Sequence, residues 1–347
     1  MSRFSDEMRT VQIAWKANSV STAAKRKGRQ NGKNYDHVLP SNLWEENLWE
    51  GIRSGTADSL PAYLEEFRVQ RHTGTHNLLS SWVVCANLYF PFRKRDKDHA
   101  LLAGFLRERV ASEVIEVTGL ELEYQLPEAQ LRPGALLGEQ GGGRGSGQTS
   151  PDVAFLVRTK NGRGVILTES KFTEHSFYGC SARKSGKAKT KAEGRPRNPA
   201  PEHCKNALEV LNSPATQCHQ EHAEWGRRYW DHLAPVATRE RFAELACCPA
   251  AINGYQLLRQ QALAEGVANS GSYDLVVSAV AYDARNETLH RSLATTGVAS
   301  VEGWARLFVG KARFKTFTHQ HWVAWVRENG GSRWARWLRY VADRYGY

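Results

Sequence analysis

Ser150-Pro151-Asp152-Val153-Ala154-Phe155-Leu156-Val157, followed after a short break by Gly164-Val165-Ile166-Leu167-Thr168-Glu169-Ser170-Lys171, decides the fold of this chain. Two apolar runs of strand length flank Lys160-Asn161-Gly162-Arg163, and Asn-Gly tolerates the positive φ of a type I′ hairpin turn. With Asn161 and Gly162 as the loop, Lys160 pairs with Arg163, Asp152 lies opposite Lys171, and Ala154 opposite Glu169. Side chains alternate along a strand, so Asp152, Glu169 and Lys171 all project from one face at one end of the hairpin. Leu156, Val165 and Leu167 continue that face, while Val153, Phe155, Val157 and Ile166 form the other. Apolar residues on both faces imply central strands covered on both sides. Charges in such a place need partners or a metal. Two readings stay open at this point: an Asp–Lys pair capping the hairpin with Glu169 in solvent, or an acidic site built around a cation.

Pro151-Asp152, then Glu169-Ser170-Lys171 on the next strand, resembles the signature of the PD-(D/E)XK nuclease superfamily, the restriction-endonuclease-like fold. The resemblance covers about residues 149–172. It implies that Asp152 and Glu169 bind one or two divalent ions, Mg²⁺ or Mn²⁺, with the backbone carbonyl of Ser170 as a further ligand. Hard oxygen donors suit such an ion. Lys171 would then orient or help deprotonate the attacking water and stabilise the transition state.

Composition agrees with a polyanionic partner. Lys and Arg number 47 against 36 Asp and Glu, a formal charge of +11, which favours nucleic acid or an anionic surface and says nothing about fold. One basic cluster holds Arg183, Lys184, Lys187, Lys189 and Lys191, with Arg195 and Arg197 beyond, just downstream of the Glu-x-Lys. It is the candidate DNA-backbone contact, its plain alternative being a solvated loop. A second, Lys25-Arg26-Lys27 with Arg29 and Lys33, reads as a flexible basic arm. No window approaches the ~18 apolar residues of a membrane helix, and Met1–Arg9 is too polar for an export signal. A cytoplasmic protein is expected, with DNA as partner and room for a homodimer.

The element order reads as α/β. Residues 76–92 and 99–118 have helical patterning, Leu120–Leu126 is a strand, and the Gly-rich run 138–147 is a mobile loop leading into the hairpin. Gly254–Asn269 is a helix and Tyr273–Tyr282 a strand. Helix, three antiparallel strands, helix, strand is the order that the resembling family requires: a mixed central sheet flanked by helices. In that family an acidic residue from the first core helix helps hold the metal, which makes Glu113 the candidate against its reading as an ordinary exposed glutamate. RecB-type nucleases, a weaker resemblance, place a Gln on the helix after the catalytic strands. Gln256 is that residue here, with Gln260 on the same helix face. The expected organisation is an N-terminal basic extension at 1–75 and a nuclease core at 76–300 with a Cys-containing basic insertion at about 173–250. A Trp-rich helical segment at 301–347 packs on the core.

Five of six cysteines fall between 180 and 248, without the Cys-x-x-Cys of a zinc ribbon. Cys180, Cys204, Cys218 and Cys248 are candidates for a zinc or iron–sulfur site, with free thiols as the alternative. Trp322, Trp325, Trp334 and Trp337 form i, i+3 pairs that suit amphipathic helices closing the sheet, or a surface for stacking bases. The sequence therefore points to a Mg²⁺-dependent nuclease that cleaves DNA, endonuclease rather than exonuclease, with restriction or phage defence as its setting. The alternatives are a RecB-type exonuclease with an iron–sulfur cluster, and an inactive DNA-binding module of the same fold.

Overall fold

The computed structural model describes residues 3–183, 198–223 and 225–347. A short hairpin, β1 (Gly28–Gln30) and β2 (Lys33–Tyr35), precedes the main sheet. That sheet holds β3 (Glu116–Leu122), β4 (Val153–Arg158), β5 (Arg163–Lys171), β6 (Leu275–Tyr282) and β7 (Arg313–Thr318), in sequence order across its width. β3, β4 and β5 are antiparallel; β6 and β7 join parallel to β5. Each parallel join needs a crossover, and the helices Tyr255–Asn269 and Glu287–Ala294 lie in those connections. The mixed sheet flanked by helices is the architecture the hairpin motif implied.

Both faces are covered, as the two-sided apolar pattern requires. Val153, Phe155, Val157 and Ile166 enter one core with the helices Ser81–Tyr89, Asp96–Arg109, His319–Asn329 and Ala335–Tyr345. Ala154, Val165 and Leu167 enter the other, under the Tyr255–Asn269 helix. The C-terminal tryptophans belong to the first core. Trp322 and Trp337 are fully buried and donate to the Leu88 and Asn87 carbonyls at 2.9 Å, and Trp334 stacks on Phe92. These three are packing residues rather than a stacking surface for bases.

The hairpin register departs from the sequence expectation. Val153 pairs with Thr168 and Arg158 with Arg163, so Asp152 is level with Glu169 and not with Lys171, and Ala154 faces Leu167. The connection is the four residues Thr159–Gly162, and neither Asn161 nor Gly162 takes a positive φ. Thr159 is responsible: its Oγ1 accepts the Asn161 and Gly162 N–H groups at 3.2 Å and donates to Asp274 at 2.5 Å, tying the loop to the entry of β6. A one-residue slip would have turned the acids to the opposite face. This change keeps the parity, so Asp152, Glu169 and Lys171 still share a face.

Candidate active site

The site forms where the β4–β5 ladder ends. Continued two residues beyond Val153–Thr168, the register sets Pro151 opposite Ser170, and proline has no N–H to give. The Pro151 carbonyl accepts from the Tyr124 N–H, and the Ser170 N–H is taken by Asp152 Oδ2 at 2.7 Å. A strand residue's N–H and C=O point to the same side, so the Ser170 carbonyl faces the same gap. Glu169 Oε1 accepts from Lys171 Nζ at 2.7 Å and from Gln256 Nε2 at 2.8 Å. The predicted Asp152, Glu169, Lys171 and Gln256 are thus brought together. Gln260 serves a different purpose: its amide donates to the Leu167 and Ala279 carbonyls and pins the helix to the sheet.

Charge is unevenly distributed here. Burial, reinforced by the Glu169 charge, pushes Asp152 well above the ordinary carboxylate range. Burial by itself would lower the Lys171 ammonium, but Glu169, Glu174 and Asp152 outweigh it and hold Lys171 above a normal lysine. Its acidic neighbours thus hold Lys171 as an ammonium. The end of β5 is locked from behind. His319 Nε2 contacts the Lys171 carbonyl at 3.2 Å, and its Nδ1 faces Tyr89 Oη at 3.1 Å. Burial lowers that imidazole to about 4, so it is neutral and donates from Nε2.

Glu113 stands elsewhere. The Asp96–Arg109 helix stops before it, and Glu113 sits in the turn leading to β3, its carboxylate 2.5 Å from Arg313 on β7. That hydrogen bond holds it down to about 2. It is an ion-pair residue at the far edge of the sheet, and the acid that joins the site is Glu123, one residue past β3. Its backbone N–H donates to the Asp152 carbonyl, and its φ is +47°. Burial, then the nearby Asp152 and Glu169 charges, raise it well above a normal glutamate.

Two pockets meet at these acids. The larger, about 380 Å³, is lined by Asp152, Glu169, Lys171 and Gln256 together with Arg9, Gln30, His37, His72 and Asn77 from the N-terminal part of the chain. The smaller holds Glu123, Arg259 and the 145–150 backbone. The Gly-rich loop is fastened rather than loose: Arg144 reaches the Leu122 carbonyl, Tyr63 and Glu121, and Gln70 N–H donates to the Arg144 carbonyl. Behind it, Arg259 donates to Thr149 Oγ1 at 2.9 Å and pairs with the buried Glu139 at 3.2 Å.

Cys180, Cys204, Cys218 and Cys248 line one enclosed cavity with Tyr229, Trp230, Tyr255 and Leu258. All four are free thiols. Burial and their mutual proximity push Cys180 and Cys248 up, and burial with Glu221 carries Cys218 to about 11. Cys85 is not among them; it lies in the Ser81–Tyr89 helix. Among the described residues, no three His, Cys, Asp or Glu side chains are gathered closely enough to hold a metal ion as the chain stands. Of the predicted DNA contacts, Arg183 is exposed at the end of a short 3₁₀ turn, whereas Lys184, Lys187, Lys189 and Lys191 lie outside the described residues. None of the described helices is long and apolar enough to cross a membrane.

No curated protein and no solved structure matches this chain. A family described as Restriction Endonuclease associating with ARP matches residues 9–346. With that match over nearly its whole length, and a mixed sheet carrying the Pro-Asp…Glu-x-Lys hairpin, the chain belongs to the Restriction Endonuclease associating with ARP family and has a restriction-endonuclease-like core.

Proposed function

We propose that this protein is a Mg²⁺- or Mn²⁺-dependent endonuclease that hydrolyses DNA phosphodiester bonds in restriction or phage defence. Family membership points to a nuclease with DNA as its substrate. The observation that carries the finer reading is the convergence of Asp152, Glu169 and Lys171 at the point where the sheet ladder opens. Three buried or half-buried acids, Asp152, Glu169 and Glu123, gather there with Glu174 near the same ammonium, and a dication would offset their mutual repulsion. Mg²⁺ keeps several of its waters and asks for only one or two carboxylates, which fits a site without a closed ring of ligands. Asp152, Glu169 and the Ser170 carbonyl would hold it. When bound, the ion supplies Lewis-acid stabilisation of the phosphate and acidifies a water. Gln256 fixes the Glu169 carboxylate, and Lys171 stabilises negative charge growing on the phosphate oxygens without giving up its proton.

Supercoiled, linear and single-stranded DNA digested side by side test this. Supercoiled circles should be nicked or linearised with Mg²⁺ or Mn²⁺ and left intact with EDTA. Degradation of linear DNA with circles spared would select the exonuclease. Binding without cleavage of any substrate would select the inactive module.

A second site rests on four cysteines that line one cavity without yet closing on a common point. Protonated thiols bind metal poorly, so the cysteines would release their protons to solvent as thiolates took up a thiophilic metal, as zinc or as an iron–sulfur cluster. Anaerobically purified protein should then carry stoichiometric zinc, or iron with acid-labile sulfide. Cys218→Ser should lose it and Cys85→Ser should keep it. Protein free of both metals would leave the cavity as an apolar pocket with thiols.

A further inference from the structure

The basic cluster near the N-terminus is not a loose arm. β1 and β2 are closed by Asn31 and Gly32, both with positive φ (+49° and +80°), the two-residue turn that matches strand twist. The base of this hairpin is anchored by a buried cation: Lys16, 3% exposed, donates to the Arg26, Asp36 and Val38 carbonyls at 2.7, 2.9 and 2.7 Å. Gly28 lies so close to the Leu39 carbonyl that no side chain would fit there. From the other side, His76 Nε2 contacts the Arg29 carbonyl at 3.1 Å and Asn77 donates to Gln30 Oε1 at 3.0 Å.

The hairpin and the turn leading into it display five exposed cations, Lys25, Arg26, Lys27, Arg29 and Lys33, of which Lys27 pairs with the single acid Asp36 at 3.1 Å. Gln30 and its cross-strand partner Lys33 share a face, and Gln30 lines the cleft that contains Asp152, Glu169 and Lys171. Lys25, Arg26, Arg29 and Lys33 remain exposed, and a strip of such cations held firmly beside a cluster of acids suits a polyanion. We infer that the β1–β2 hairpin is a DNA clamp: it grips the phosphate backbone of duplex DNA and holds the strand to be cut against the acids. A two-stranded ribbon also matches the width of a major groove. This inference rests on the nuclease reading above and names the element that positions its substrate.

The test is binding of a fluorescent random-sequence duplex in EDTA, where no cleavage is needed, over a series of salt concentrations. Arg29→Ala/Lys33→Ala should bind more weakly, and its log–log salt slope should flatten by ~0.9 for each phosphate left without its cation. Lys160→Ala removes an exposed cation from the loop at the other end of β5 and should keep the parental slope. A double variant with parental affinity and slope overturns the clamp, as does an equal loss in Lys160→Ala. Failure of cleavage alone would sink the nuclease and leave the clamp standing; a parent protein without DNA affinity would sink both.

Discussion

Asp152→Asn protein should lose DNA cleavage and yet melt at a higher temperature than the parent when divalent ions are withheld. The loss should be at least on the order of 10²–10³ in rate, the size associated with removing one preorganised electrostatic group. The gain in stability, about 1 kcal/mol, follows from the raised Asp152 and Glu123 acids. A carboxyl raised in the folded state binds protons more tightly there than in the unfolded chain. Its stabilising contribution is complete below the unfolded value of about 4 and is lost as pH rises toward the folded value. Asparagine ends that penalty and can still accept the Ser170 N–H. A dication competes with the same protons, so Mg²⁺ should raise the parental melting temperature more at pH 8 than at pH 5, and should barely move the variant. Melting curves in EDTA and in Mg²⁺ at both pH values read this directly. A variant less stable than the parent in EDTA would show that Asp152 is not in electrostatic conflict, and undiminished cleavage would remove it from the active site.

Arg344→Met should be the most destabilising single change outside the site, by roughly 3–5 kcal/mol. Arg344 is fully buried and lies 4.1 Å over the Trp15 ring. Its guanidinium serves the Asn47 carbonyl and side chain, Gln12 Oε1 at 3.2 Å and the Tyr340 hydroxyl. Methionine fills most of the volume and leaves these acceptors stranded in the core. Lysine should recover only part of the loss, because a point charge cannot reproduce the planar fork. Urea unfolding measures it. A midpoint within ~0.5 kcal/mol of the parent, at unchanged m-value, would show that water or repacking satisfies the vacated acceptors.

The parts of this fold that were legible in the sequence are those with strong local periodicity. Val153–Val157 and Val165–Leu167 announced strands buried on both sides. The alternation that placed Asp152, Glu169 and Lys171 on one face survived an incorrect register, because the change preserved parity. Gln256 was picked out by the resemblance to RecB-type nucleases, and the helical pattern placed it on the right element, Tyr255–Asn269. Misreadings arose where tertiary partners decide. Thr159 reshapes the hairpin loop through Asp274, 115 residues away in the chain, and no local propensity contains that bond. Glu113 bordered an apolar stripe that read as helical, but the helix ends at Arg109, and the acid that lies beside Asp152 is Glu123, placed there by a left-handed backbone step that only the folded structure displays. The firmness of the β1–β2 hairpin was hidden for the same reason, since Lys16 reads as one more surface lysine until its three carbonyl partners are assembled.

The N-terminal helix Arg3–Ser19 rests on the last helix, Ala335–Tyr345: Gln12 donates to the Arg344 carbonyl at 2.7 Å, and Trp15 packs edge-on to Tyr340. On a ribosome this creates an order of events. The β3–β4–β5 meander, whose pairings are short in sequence, can form while synthesis continues, so the acids meet early. The first helix gains its last partners only when residue 344 has emerged, although Phe4 can meet Phe172 and Lys16 its carbonyls at Arg26, Asp36 and Val38 before then. A chain stopped short of residue 344 would therefore carry the β3–β4–β5 meander with a first helix that lacks its last partners, Arg344 and Tyr340.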